Sequence, residues 1–178
     1  MAFPNSIGAA QYSALCFSEF VGAAPTTEGG LIALFADEAN FTEISDIRDM
    51  PQFGTPANIV KVPVYGQAQT QSIGAQSDAP DLELMVNYVA ADWAVGTTLG
   101  DAVSDGEAKV FQFSLLPAAP ASFEATATGL ATVDNANIYF VGKIESLLIN
   151  PSRDDASTAT VALSIQSDFY GPYTVDVV

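Results

Sequence analysis

Apolar residues recur in this chain with a period of two. From Thr158 to Phe169, Val161, Leu163 and Ile165 alternate with Ala162, Ser164 and Gln166, so an extended backbone there has one greasy face and one polar face. The same alternation runs from Val110 to Leu116, with Phe111, Phe113 and Leu115 opposed to Gln112 and Ser114. It runs again from Asp81 to Val89, with Leu82, Leu84, Val86 and Tyr88 opposed to Asp81, Glu83, Met85 and Asn87. Half-buried pleated strands satisfy this pattern and helices do not, so the fold class is mainly β. Phe111, Phe113, Val161, Leu163 and Ile165 are the core residues it selects.

The stretch Ile138 to Ile149 is apolar on both faces apart from Lys143 and Glu145. It reads as a central strand covered on both sides or lying against another subunit. Asn150-Pro151-Ser152-Arg153-Asp154-Asp155 is a turn signal, and a β-hairpin with the Thr158 strand follows. Upstream, Leu15 to Val21, Leu31 to Ala36 and Ile59 to Ile73 are expected strands, with Pro63 and Gly66 marking the third as an edge or a bulge. A short helix is expected within Ala91 to Val103, capped by Asp92, with Val95, Leu99, Ala102 and Val103 at helical spacing. Trp93 at its start reads as core packing rather than a ligand platform. Val21 to Gly30 and Pro117 to Asn137 are expected loops that could reach a neighbouring subunit.

At 178 residues one domain, residues 1–178, is the expectation. The 21 acidic residues against Arg48, Lys61, Lys109, Lys143 and Arg153 give a formal net charge of −16. Five scattered cations cannot form a phosphate-binding groove or dock on an anionic membrane. Acidity of this kind also serves plain solubility. Cys16, the single cysteine, lies in an apolar run and reads as a buried inert thiol. The start of the chain has no cationic or long apolar signal segment, and folding in the cytoplasm is expected.

Histidine is absent, which removes the commonest general base, zinc ligand and nucleophile partner. No dinucleotide fingerprint, phosphate loop or nucleophile elbow appears. Carboxylate pairs are the remaining reagent: Asp154-Asp155 sits in a turn without calcium-loop spacing, and Asp81 with Glu83 reads first as a solvent-facing strand face. No catalytic residue, cofactor or metal is therefore expected.

The order of elements also carries a resemblance. A strand at Val62 to Ile73, the acidic strand at Asp81 to Val89, the short helix with Trp93 and the strand ending Phe111-Gln112-Phe113-Ser114-Leu115 come first. Tyr139-Phe140-Val141-Gly142-Lys143-Ile144-Glu145-Ser146 and a closing strand into Ser167-Asp168-Phe169-Tyr170-Gly171 follow. Over residues 58–173 this resembles the major tail tube protein of long-tailed phages and related gene transfer agents, a pattern in which no single motif is diagnostic. Residues 1–57 depart most, and Phe35 to Asn58 is where the family's long inter-ring hairpin would fall.

The resemblance implies two packed antiparallel sheets, a β-sandwich or partial barrel, with one short flanking helix. It implies hexameric rings whose inner sheets join in a barrel and stack into a virion tail tube. Tape-measure, tail terminator and distal tail proteins would be partners, with DNA only transiently in the lumen and no membrane. A negatively charged bore would let DNA pass without sticking, and Asp81, Glu83 and Glu145 are the expected lumen-facing residues. The alternative is a β-sandwich binding or decoration module on a virion or cell surface, which would stay monomeric or form a small closed oligomer.

Overall fold

The computed structural model describes residues 13–36, 38–54, 59–62, 65, 71–74, 81–115 and 136–174. Of the expected loop at Pro117 to Asn137, residues 117–135 lie outside these, as do the first residues of the chain, while Ala136 and Asn137 are already strand. The fold is mainly β: among the described residues, eight strands form one antiparallel sheet, two more pair separately, and two short α-helices and one 3₁₀ turn complete it.

Strand β8 (Ala136–Asn150) organises the sheet. Its first half pairs with β7 (Lys109–Leu115), from Ala136 opposite Leu115 to Gly142 opposite Lys109. Its second half pairs on the other edge with β9 (Thr158–Ile165), from Gly142 opposite Ile165 to Asn150 opposite Thr158. One wing continues from β7 to β1 (Ala14–Ser18) and β2 (Phe41–Glu43), the other from β9 to β6 (Leu82–Asn87) and β3 (Ile47–Asp49). β2 and β3 end the two wings, yet only Ile44, Ser45 and Asp46 separate them in sequence. Ile44 still donates its N–H to Leu15 O, and Asp46 O already accepts from Asn87 N–H. The chain turns at Asp46, whose φ is 57°. Residues 41–49 thus tie the two ends of the sheet together and fold the wings over one another.

Between the wings lies one apolar cluster. It takes Leu15 and Phe17 from β1, Phe111 and Phe113 from β7, Phe140 and Ile144 from β8, and Leu82, Leu84, Val86, Val161, Leu163 and Ile165 from β6 and β9. Phe111 and Phe140 stack with ring centroids 5.1 Å apart, and Phe53 closes over Phe113 at 4.1 Å. Trp93 is buried in the same cluster. β6 and β9 alternate strictly between buried and open positions, as period-two patterning requires.

Several expectations need correction. Leu31 to Ala36 is not a strand: helix α1 spans Glu28–Leu34, with Thr27 Oγ1 accepting the Gly30 N–H at 3.3 Å. Leu31 and Phe35, one helical turn apart, pack with Cys16, Val110, Tyr139 and Val141 on the outer face of the first wing. This second layer buries Gln112 and Ser114, which alternation had placed on a polar face. Gln112 donates to Ser114 Oγ at 2.9 Å there. The segment from Ile59 is two strands, β4 (Ile59–Val62) and β5 (Gln71–Gly74), paired with each other.

The second helix, α2 (Thr98–Ser104), starts later than expected and is capped by Thr97 rather than Asp92. β9 stops at Ile165 rather than Phe169, and the chain re-enters as β10 (Tyr170–Thr174) beside the first half of β8. The described part of Phe35 to Asn58 is not a hairpin, because β2 and β3 pair with different partners.

Candidate functional site

The core positions selected from alternation, Phe111, Phe113, Val161, Leu163 and Ile165, are all buried, together with Trp93. What they leave outside is the opposite face of β6, β9 and β8. Cross-strand register defines it: Glu83 stands opposite Ala162, and Ala162 opposite Ser146, while Met85 stands opposite Thr160, and Thr160 opposite Leu148. Small and hydroxyl side chains thus separate an acidic edge from an apolar one.

Glu145 belongs to this face. It falls at the register shift between Ile144 and Ser146. Its Oε1 accepts from Ser164 Oγ at 2.7 Å and pairs with Lys143 Nζ at 2.9 Å. The Ser164 hydrogen bond, then Lys143, hold its carboxyl below the usual glutamate range. Glu83 is exposed on β6, and Asp81, also exposed, precedes that strand by one residue with the same parity as Glu83. The three acids proposed from sequence therefore lie along one exposed surface, with Lys143 neutralising part of it.

Other acids are committed elsewhere. Asp155 pairs with Arg48 at 3.9 Å across the surface, and its Oδ1 accepts the Ala156 N–H within the β8–β9 turn. Lys109, almost wholly buried, is held by Asp105 and Glu19. Cys16 is buried, its thiol pushed well above the usual range by burial and then by Glu43.

A cleft of about 440 Å³ runs between the end of β1 and α1. Among the described residues that line it, Glu19 is the one ionisable group, so those residues bring no two acids together. Among the described residues, no group of three or more His, Cys, Asp or Glu is placed to hold a metal ion. No described helix is long and apolar enough to cross a membrane.

One feature of the surface was not legible from alternation. β8 keeps apolar residues to its end, but Leu148 is 66% exposed and Ile149 48%. β7 starts at Lys109, opposite Gly142, so beyond that point β8 has β9 on one edge and, among the described residues, no strand on the other.

No family profile matches this sequence, and no curated protein matches it. Solved structures match over nearly the whole chain. The PVC sheath/tube terminator of an extracellular contractile injection system is 11% identical, with 94% of this chain and 99% of that chain covered and a TM-score of 0.57. A chain of the anti-feeding prophage baseplate, from a 6-fold symmetrised structure, is 13% identical, with 97% and 98% covered and a TM-score of 0.55. The tail tube of SPP1 is 14% identical, with 96% and 82% covered and a TM-score of 0.52. The chain has the fold these proteins share, in line with the resemblance read from its sequence.

Proposed function

We propose that this chain is a non-enzymatic structural subunit of a phage-type tail, and that copies of it close into hexameric rings which stack into a hollow tube. The observation that carries this reading is the whole-length fold likeness to tube and terminator components. A chain that merely borrowed one sheet would not cover 99% of the terminator chain and 82% of the tube chain. The second layer of helix on one wing and the open face on the other also suit a wall with two different sides.

In this reading the open face of β6, β9 and β8 lines the bore, with Asp81, Glu83 and Glu145 giving it negative charge. Phosphates are repelled by such a wall, so DNA passes with weak contact and is not retained by counterion release. The separately paired strands β4 and β5 take the part of the inter-ring arm in place of Phe35 to Asn58. Tape-measure, terminator and distal tail proteins would be its partners at the tube's bore and ends, and its place would be the virion tail after assembly in the host cytoplasm.

Likeness to a tube terminator favours a second reading, in which the chain caps a tube made by another protein. Sedimentation and negative-stain electron microscopy of the purified protein separate the readings. Long hollow filaments are the expected result, single rings that do not stack favour the cap, and isolated globules at every ionic strength overturn both.

A further inference from the structure

We infer that α1 is a strap that releases from the outer face of the first wing while the sheet beneath it stays folded. The inference does not depend on the tube reading. Seven residues are too few for a helix to persist in water by itself, and Gly29 and Gly30 lower the propensity of this one further. Docking therefore decides whether α1 exists, and its fully buried contacts are Leu31 and, one residue past its end, Phe35. Ala33 and Leu34 line the cleft of about 440 Å³, so the helix is undercut on that side. The link from β1 to α1, residues 19–27, carries no strand or helix and turns at Gly22 with a φ of 86°, which lets the strap move without β1.

The floor under the strap is half polar. Cys16, Gln112 and Tyr139 form one cross-strand row of that face, with Ser114 and Asn137 in the next. Asn137 is buried, yet its Oδ1 has no hydrogen-bond partner and its Nδ2 reaches the Tyr139 hydroxyl only at 3.5 Å. A buried acceptor left unpaired costs free energy that contact with water returns. Phe35 closes over Tyr139 with ring centroids 5.7 Å apart, so lifting Phe35 admits water to the Tyr139 hydroxyl and from there to the Asn137 amide. The core between the wings shares no buried residue with this outer layer and keeps its own contacts when the strap lifts. Release bares Cys16, Val110, Tyr139 and Val141, turning a covered face into an open apolar one.

Cys16, the single cysteine, lies under the strap and reports its release. The test follows labelling of Cys16 by dithiobis(nitrobenzoic acid), together with amide exchange, in the unassembled full chain without denaturant. The opening that labels Cys16 should be at least about tenfold more frequent than the opening that exchanges the amides of β6 and β9. The Leu31 amide, bonded to Thr27 O, should open with it. Gly29→Ala, whose Cβ meets open space, should slow labelling about threefold by favouring the helix, and Leu31→Ala should speed it about thirtyfold. Ile165→Val, in the core between the wings, should leave it unchanged. Should Leu31→Ala fail to fold, Gly29→Ala and the Leu31 amide decide the matter. Labelling that Gly29→Ala does not slow, that proceeds while the Leu31 amide stays protected, or that Ile165→Val speeds as much as it destabilises the whole protein, would overturn the strap.

Discussion

The ammonium of Lys109 lies 2.7 Å from Asp105 Oδ2, four residues earlier in the chain, and 3.3 Å from Glu19 Oε1. The lysine side chain is 1% exposed and stands over the Phe17 ring. It joins the exit from α2 to the start of β7 and to the end of β1. Burial alone would lower the lysine pKa, but the hydrogen bond and charge of Asp105, then those of Glu19, outweigh it and raise it. Burial would likewise raise Asp105, yet the bond from Lys109, the Glu107 N–H and the Lys109 charge bring it down.

The signs give a pH window. The Asp105 contribution is complete above the ordinary aspartate value of 3.8 and is lost as pH falls through its lowered folded value. The Lys109 contribution is complete below the ordinary lysine value of 10.5 and is lost as pH rises through its raised one. Urea denaturation of the unassembled protein across pH should show stability from this pair level between those limits. Asp105→Ala leaves the buried cation with Glu19 alone and should cost about 3 kcal/mol, or roughly 6–12 °C in Tm for a domain of this size. Lys109→Met should cost less, because the acids it abandons can turn to solvent.

Gly142 pairs with Lys109 on one edge and Ile165 on the other, where β8 passes between the wings. A Cβ there would stand 2.6 Å from the Ser164 backbone oxygen. Gly142→Ala should therefore destabilise by about 1–3 kcal/mol through forced separation of β8 and β9, measurable by thermal or urea unfolding.

Thr97, not Asp92, caps α2. Its Oγ1 accepts the Gly100 N–H at 3.1 Å and donates to Asp92 O at 2.6 Å or Ala94 O at 2.7 Å. The Asp92 carboxylate instead accepts from Ser45 Oγ at 3.4 Å. Thr97→Ala should cost about 1 kcal/mol, and Asp92→Ala less than about 0.5 kcal/mol. Equal losses in denaturation midpoints would contradict this assignment.

Glu83→Lys combined with Glu145→Lys places cations on the face assigned to the bore. Assembled tubes are expected, because neither residue lies in the core, but particles carrying the variant should deliver DNA poorly. Unchanged delivery would remove these residues from the bore wall.

Strands whose alternation meets solvent on one side were readable from the chain: Leu82, Leu84 and Val86 in β6, and Val161, Leu163 and Ile165 in β9, are buried as their parity requires. Where a second layer covers the other face, parity misleads. Gln112 and Ser114 look like surface residues until α1 and its Leu31 and Phe35 are placed over that wing. That helix was itself hard to read, because Gly29 and Gly30 weaken it and a six-residue apolar run suits either strand or helix. Its one local sign is Thr27 ahead of Glu28. The tie between β2 and β3 depends on contacts with β1 and β6, far away in sequence, which no local pattern encodes. The acids of the candidate bore were legible as strand residues, whereas the exposure of Leu148 depends on β7 starting only at Lys109, opposite Gly142.

The most direct measurement is a cryo-electron microscopy reconstruction of the protein assembled at high concentration and ionic strength. The account predicts a hollow tube of stacked hexameric rings, with Glu83 and Glu145 facing the bore. A solid or non-tubular assembly, or a tube with the face of β6, β9 and β8 turned outward, would contradict it.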